Sequence, residues 1–94
     1  MPRAPHFDVK VSLRGQEWTL RFYNGGSSKT LGRCYFDKKL ITVKNDKEAM
    51  STLIHEIIHA CQPDLSEEAV LEIEAAIVTG LEAFSRHSVK AVAG

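Results

Sequence analysis

The residues of this 94-residue chain that are best suited to chemistry form one short motif, His55-Glu56-Ile57-Ile58-His59. Residues four apart lie on one face of a helix, so the two imidazoles can point at a single ion. Neutral imidazole is a good ligand for Zn²⁺, and Glu56, one residue round the helix, can reach a water on that ion without binding the metal. A zinc ion lowers the pKa of such a water to about 7, and a carboxylate can then take its proton. The motif therefore predicts one zinc per chain, with His55 and His59 as ligands and Glu56 as general base.

A third protein ligand must come from outside the motif, because a catalytic zinc usually has three protein ligands and one open position. Pro63 ends the helix of the motif and reverses the chain, which brings the start of the next helix towards His59. The first turn of that helix contains Glu67, which we rank first, and Glu68, ranked second. For each of these the alternative is a carboxylate that only favours the positive end of the helix dipole. The more distant candidates are Glu72, ranked third, Asp64, Glu74, His6 and His87.

The other reactive side chains are interpreted as structural. Cys34 and Cys61 are too few for a disulfide scaffold, fit a reducing cytoplasm, and are expected to be small core residues. Tyr23 and Tyr35 could supply a phenol to a tetrahedral oxyanion, but a half-buried place in a sheet is the commoner explanation for each.

Alternation of apolar and polar residues in the first half of the chain predicts β-structure. Residues 9–14 and 18–23 alternate on either side of a glycine turn and predict a hairpin. Residues 33–36 and 40–43 predict a second hairpin.

The apolar period then changes to three and four residues, which predicts helices. The first runs from a cap at Asn45 or Asp46 to about Cys61, and the second is capped by Ser66 and frays around residues 86–89. The order ββββαα predicts an α+β fold, with a small antiparallel sheet of two hairpins followed by two helices. The predicted buried stripe of the second helix consists of Val70, Ile73, Ile77, Leu81 and Phe84.

Length and composition indicate one small globular domain, with 44% hydrophobic and 26% charged residues. No apolar run approaches the roughly 18 residues of a membrane helix, and the first ten residues lack the apolar segment of a signal peptide, so we expect a cytoplasmic protein without membrane contact. The predicted boundaries are a disordered lead-in over residues 1–8, a single domain over residues 9–88 and a tail over residues 89–94.

The formal net charge is zero, but the charges are unevenly distributed. Residues 1–47 carry ten Lys/Arg and four Asp/Glu, whereas residues 48–94 carry two Lys/Arg and eight Asp/Glu. One explanation is that glutamate is a good helix former and the second half is helical. The alternative is a basic face in the first half that meets nucleic acid, which requires the cations to cluster in space.

The hairpin and the metal helix together resemble minimal zincin metallopeptidase domains. The resemblance is carried by residues 32–43 (GRCYFDKKLITV), residues 53–60 (LIHEIIHA) and residues 63–68 (PDLSEE), and it covers roughly residues 18–84. It is closest to small metallopeptidases encoded by phages and prophages, and more distant for SprT-like and ImmA/IrrE-like peptidases.

This resemblance implies a zincin-like fold in which His55 and His59 bind zinc, Glu56 is the general base and a glutamate at the start of the next helix completes the site. A phage-encoded protein of this kind would act in the host cytoplasm. The chain departs from the longer SprT-like proteins because it lacks a third motif histidine, a cysteine-rich zinc ribbon and the segments that build a deep cleft. These departures favour a restricted substrate, or metal binding with little turnover, over general proteolysis.

Three functions follow as hypotheses. The first is a zinc-dependent metallopeptidase, a hydrolase of peptide or protein substrates that pair with residues 40–43 as an exposed sheet edge. The second is a zinc-stabilised adaptor without enzymatic activity that binds a host protein. The third is a protein that associates with nucleic acid through its basic half. Glu56 favours the first over the second, since a structural zinc site needs no carboxylate between its histidines.

Overall fold

The computed structural model of the protein describes residues 6–24 and 31–93. These residues form four strands followed by two helices, so the predicted α+β class and the order ββββαα are confirmed. The elements are β1 (His6–Leu13), β2 (Gln16–Tyr23), β3 (Gly32–Tyr35), β4 (Leu40–Lys44), α1 (Ala49–Cys61) and α2 (Glu67–Ala93).

The four strands form one mixed sheet in the order β1-β2-β4-β3. Both predicted hairpins are present, because β1 pairs with β2 and β3 pairs with β4 in the antiparallel sense. The central pair is parallel, with Leu20 of β2 opposite Ile41 of β4, so the prediction of a wholly antiparallel sheet is wrong. The physical reason is that β3 lies one strand away from β2. When β4 turns back from β3 and fills that gap, it runs in the same direction as β2.

One face of the sheet carries the hydrophobic core. Trp18, Leu20, Ile41 and Val43 alternate along β2 and β4 with polar residues, and each is at most 5% exposed. Helix α1 packs over β3 and β4 on this face and contributes the buried Ala60, while α2 packs on α1. The layers are therefore sheet, α1 and α2.

Each helix begins beside a local hydrogen bond to a residue that the sequence offered as its cap. The Asp46 carboxylate accepts a hydrogen bond from the Glu48 backbone N–H at 2.9 Å, so Asp46 shapes the turn just before α1 although it is not the cap residue itself. Ser66 caps α2 as predicted, since its hydroxyl oxygen accepts from the Ala69 N–H at 3.1 Å.

The predicted outer boundaries are wrong at both ends of the domain. Strand β1 begins at His6, inside the predicted lead-in over residues 1–8, because its first residues pair with the end of β2 and the rings of Phe7 and Phe22 stack at 4.9 Å. Helix α2 continues to Ala93, through the predicted fraying and most of the predicted tail over residues 89–94, since no proline or glycine interrupts that segment. Strand β1 thus begins before residue 9 and helix α2 ends after residue 88. Residues 1–5 and 94 lie outside the described part of the chain.

The apolar stripe of α2 is buried at its first member only. Val70 is fully buried, whereas Ile73, Ile77, Leu81 and Phe84 are 38–69% exposed. The prediction of a continuous buried stripe is therefore wrong. Its physical cause is length: α1 has 13 residues and α2 has 27, so the second half of α2 extends beyond the helix that covers it.

Candidate metal centre

The candidate site lies between the two helices, which pack in an antiparallel arrangement. Ser51 near the start of α1 contacts Glu74, and His59 near its end contacts Glu67, at the first residue of α2. The order of these contacts runs in opposite senses along the two helices. His55, midway along α1, meets both glutamates and lies at the centre of the site.

Three ligand atoms converge on one point. The His55 Nε2 atom lies 2.8 Å from Glu67 Oε1 and 3.1 Å from His59 Nε2, and His59 Nε2 lies 3.5 Å from Glu67 Oε1. The turn through Pro63 and the Ser66 cap return the chain to α1 here, as the sequence predicted. In the described residues these three side chains form the group of His, Cys, Asp and Glu that could hold a metal ion.

The donor set of this group fits zinc. Four ligands arranged tetrahedrally at zinc bond lengths of about 2.0–2.1 Å lie roughly 3.3 Å from one another, which is close to the separations found between these three atoms. Two imidazoles and one carboxylate also match the His₂Glu ligand set of catalytic zinc sites, which leaves the fourth position open. His55, His59 and Glu67 are therefore the residues that would hold the ion.

The second nitrogen of His55 has its own partner. Its Nδ1 atom lies 2.7 Å from Glu74 Oε1, and the Ser51 hydroxyl donates a hydrogen bond to the other oxygen of the same carboxylate. A carboxylate can only accept, so the imidazole proton lies on Nδ1 and donates to Glu74. In the neutral imidazole the lone pair of His55 then lies on Nε2, which faces Glu67. Two acceptor atoms 2.8 Å apart repel each other unless a cation lies between them, and a metal ion or a shared proton meets that need.

Glu74 is enclosed at the contact between the helices, with its side chain 18% exposed. Burial raises the pKa of this carboxyl, and the hydrogen bonds from Ser51 and His55 lower it. The hydrogen bonds have the larger combined effect, so the pKa lies below its usual value. Glu74 is therefore anionic at neutral pH and suited to orient an imidazole. The sequence places it among the more distant ligand candidates; the structure places it on the far side of His55 from the converging ligand atoms.

Glu56 lies beside this group on the side of the sheet. Burial raises the pKa of its carboxyl above the usual value, opposed by the attraction of His55 and His59. A carboxylate of raised pKa is a stronger base near neutral pH, which suits the role of general base. An open cavity of about 420 Å³ adjoins Glu56 and His55. The described residues that line it are Leu31, Gly32, Glu48, Ser51, Thr52, His55, Glu56 and Glu74.

Strand β3 approaches α1 closely at Gly32. A Cβ atom at this position would collide with the Thr52 side chain and would lie 2.9 Å from the Thr42 carbonyl oxygen and 3.4 Å from Glu56 Cγ. Only glycine allows the strand to lie this near Glu56. The start of β3 therefore forms one wall of the cavity beside Glu56.

The sheet edge beside the site is β3 and not β4. Residues 40–43, the edge expected from sequence, lie in β4 between β2 and β3 and are paired on both sides. That expectation is wrong because it assumed a hairpin order in which β4 is last in space as well as in sequence. The backbone groups of β3 that point away from β4 are the ones that could pair with a further strand.

The remaining candidates do not join the group. Glu68, Glu72 and Asp64 are exposed and lie outside the cluster of possible ligands in the described residues. Tyr23 and Tyr35 are not among the described residues that line the cavity.

The two thiols are half-buried and free, as expected for structural cysteines. Burial raises the pKa of Cys34 to about 11, and the charge of Glu56 contributes in the same direction.

Comparisons with known proteins give no match: no family model, no curated protein and no solved structure is significantly similar to this chain. No helix in the described part of the chain is both long and apolar enough to cross a membrane. The chemistry of the site is accordingly inferred from its own geometry.

Proposed function

We propose that this protein is a zinc-dependent metallopeptidase. The observation that carries the proposal is the convergence of His55, His59 and Glu67 on one point, with the carboxylate of Glu56 in the adjoining cavity. A purely structural metal site usually closes its fourth position with protein and needs no carboxylate beside its ligands. In the described residues the group offers three ligands and Glu56 lies beside it, and both features have a use in hydrolysis.

The positions of the side chains support the following division of roles. Zinc, when bound, supplies a Lewis acid that lowers the pKa of the attacking water and polarises the scissile carbonyl. Glu56 accepts the proton of the attacking water and later donates it to the leaving amine, so that water adds across the amide C–N bond. Glu74 holds His55 through Nδ1 and keeps the Nε2 lone pair directed at the ligand position.

The peptide would lie along β3. Among the described strands β3 is at the edge of the sheet, and its first residue, Gly32, lies against Glu56. A substrate that adds as a strand at this edge brings its backbone carbonyl groups past the cavity. Main-chain pairing requires an extended substrate but few side-chain contacts, which suits a domain of this size.

The test compares wild-type protein with Glu56→Gln, which keeps the size of the side chain and removes the base. Both proteins are loaded with zinc and incubated with a peptide library derived from a proteome, and the products are identified by mass spectrometry. We expect cleavage by the wild type and a loss of about 10²-fold or more in Glu56→Gln, with zinc content unchanged. Absence of products from the wild type would contradict the proposal and favour the adaptor, and equal cleavage by both proteins would exclude Glu56 as the base.

A further inference from the structure

The sheet has a second face, which points away from both helices and which we call the outer sheet face. Its residues alternate along β2 and β4 with the buried side chains of the core face, and the strand register extends the same face to β1 and β3. In the described residues no helix packs on it, since α1 packs over the core face and α2 packs on α1. As far as residues 6–24 and 31–93 are concerned, the outer sheet face is open to a partner.

Cations of the first half of the chain collect on this face. The strand register places Arg21 and Arg33 on either side of Thr42 in one row, and Lys44 follows two residues further along β4. Lys10 lies on β1, and its ammonium group donates a hydrogen bond to the Thr19 hydroxyl at 2.7 Å. Four of the ten Lys/Arg of residues 1–47 thus lie on one face, and such clustering is the condition that the nucleic-acid hypothesis required.

Two carboxylates share the outer sheet face, and both lie on its β1–β2 side. Asp8 forms a bidentate salt bridge with Arg21, in which both hydrogen bonds are 2.9 Å long. Glu17 lies near the start of β2. The sequences of β3 and β4, the strands that carry Arg33 and Lys44, contain no Asp or Glu. The carboxylate of Glu56 on α1 is near enough to Arg33 for their charges to interact. The acidic residues of the second half of the chain belong mainly to α1 and α2, on the other side of the sheet. Charge is therefore separated across the described part of the molecule. The outer sheet face carries more cations than carboxylates, and the two helices carry more carboxylates than cations.

Aromatic rings lie among these cations. Tyr23 is the register partner of Lys44, and its ring lies 5.5 Å from the ring of His6. Tyr35 lies on β3 two residues after Arg33, and the Lys38 ammonium group lies 5.5 Å from its ring centroid. Side chains two apart along a strand and on adjacent strands are neighbours on the same face. Rings and cations therefore alternate across the surface.

We propose that the outer sheet face binds single-stranded nucleic acid, with Arg33 and its neighbouring cations contacting phosphates and the rings of Tyr23 and Tyr35 stacking on bases. Single strands are favoured over duplex because bases must be unstacked to meet an aromatic side chain on a flat sheet. Cationic charge alone would serve any polyanion, whereas interleaved rings and cations match a polymer that alternates phosphate and base. This proposal does not depend on the proposed peptidase activity, since the metal ligands lie on the other side of the sheet.

The experiment measures the fluorescence anisotropy of labelled single strands of about 12 nucleotides, as DNA and as RNA, with the full chain in the presence of EDTA. We expect binding by the wild type that weakens as salt rises, with a slope of log K against log salt that falls by about 0.7 when Arg33→Ala removes one phosphate contact. Arg33→Glu should weaken binding at least tenfold. Arg86→Glu on α2 changes the net charge by the same amount on the helical side of the sheet and should leave the affinity within about twofold.

Further variants test the separate elements of the proposal. Lys10→Glu, at the opposite edge of the sheet from Arg33, should also weaken binding. Tyr35→Ala should reduce the affinity by about tenfold, and Tyr35→Phe, which retains the ring, should restore it. Circular dichroism checks that each variant is folded. If Tyr35→Ala does not fold, the variants of the exposed Arg33 still test the proposal. Equal effects of Arg33→Glu and Arg86→Glu, equal affinity for duplex and single strand, or equal affinity for heparin or anionic vesicles would each overturn the proposal.

Discussion

Glu74 Oε1 lies 2.7 Å from His55 Nδ1, and this contact joins the two helices at the candidate metal centre. Seven residues, or two helical turns, separate Glu74 from Glu67, so one face of α2 presents two carboxylates to the same imidazole. One carboxylate meets each nitrogen of the ring. The orientation of His55 is therefore determined by α2 as much as by α1.

The first prediction concerns this contact. Glu74→Gln should lower zinc affinity by tenfold or more, because it removes the anion that holds the proton on Nδ1 of His55. Competition with a chromogenic chelator measures the affinity, and Glu72→Gln, an exposed substitution on the same helix, is the matched control. The nitrogen chemical shifts of His55 in the metal-free protein report the tautomer directly. Zinc affinity equal to wild type together with an unchanged tautomer would contradict this role for Glu74.

The second prediction distinguishes the two adjacent glutamates. Glu67→Gln should weaken zinc binding strongly, whereas Glu68→Gln should leave it near the wild-type level, since Glu67 contacts both histidines and Glu68 is not in the group of possible ligands. Metal content after dialysis and the rise of the melting temperature on zinc addition measure the difference, because binding to the folded state adds RT ln(1 + [L]/Kd) to stability. His55→Ala should abolish that rise. If Glu68→Gln lost zinc and Glu67→Gln kept it, the geometry described above would be excluded.

The third prediction concerns the core. Ile41→Ala should reduce the free energy of unfolding by about 2–5 kcal/mol, because Ile41 is fully buried under α1 and the substitution leaves a cavity. Ile77→Ala deletes the same atoms from a side chain that is 39% exposed, and it should cost well below that range. Urea unfolding in EDTA measures both without any contribution from metal. Equal losses would mean that the second half of α2 is covered in solution.

The fourth prediction follows from the raised pKa of Cys34. With a pKa of about 11 the thiol stays protonated at pH 8, so iodoacetamide should alkylate Cys34 much more slowly in the folded protein than in urea. Peptide mapping by mass spectrometry separates it from Cys61. Glu56→Gln should accelerate the reaction, since it removes a negative charge that raises this pKa. Equal rates in folded and unfolded protein at pH 8 would contradict the prediction.

The same pKa has a consequence for stability. An ordinary thiol has a pKa of 9.0 and loses its proton first, so the unfolded state releases a proton that the folded state retains. The contribution of Cys34 is fully present below about pH 9 and declines as the pH rises towards about 11. Urea unfolding across this window should show a steeper loss of stability in the wild type than in Cys34→Ala.

Local patterns were sufficient for much of the fold. Alternation predicted both hairpins, the change of period predicted both helices, and the hydroxyl of Ser66 marked the start of α2. The spacing of His55 and His59 predicted that their rings share a helix face, and their Nε2 atoms lie 3.1 Å apart. These features depend on residues a few positions apart, whose relative geometry is set by the backbone of a single element.

Features that join distant elements were decided by the tertiary structure. Alternation along β2 and β4 specifies a face but not a neighbour, so the parallel pairing of Leu20 with Ile41 could not be read from it. The choice between Glu67 and Glu68 depends on the rotation of α2 about its axis, which the burial of Val70 fixes. The contact of Glu74 with His55 depends on the position of α2 along the axis of α1. Each is set by packing between surfaces far apart in sequence, where a rotation of one residue replaces one side chain at the site with another.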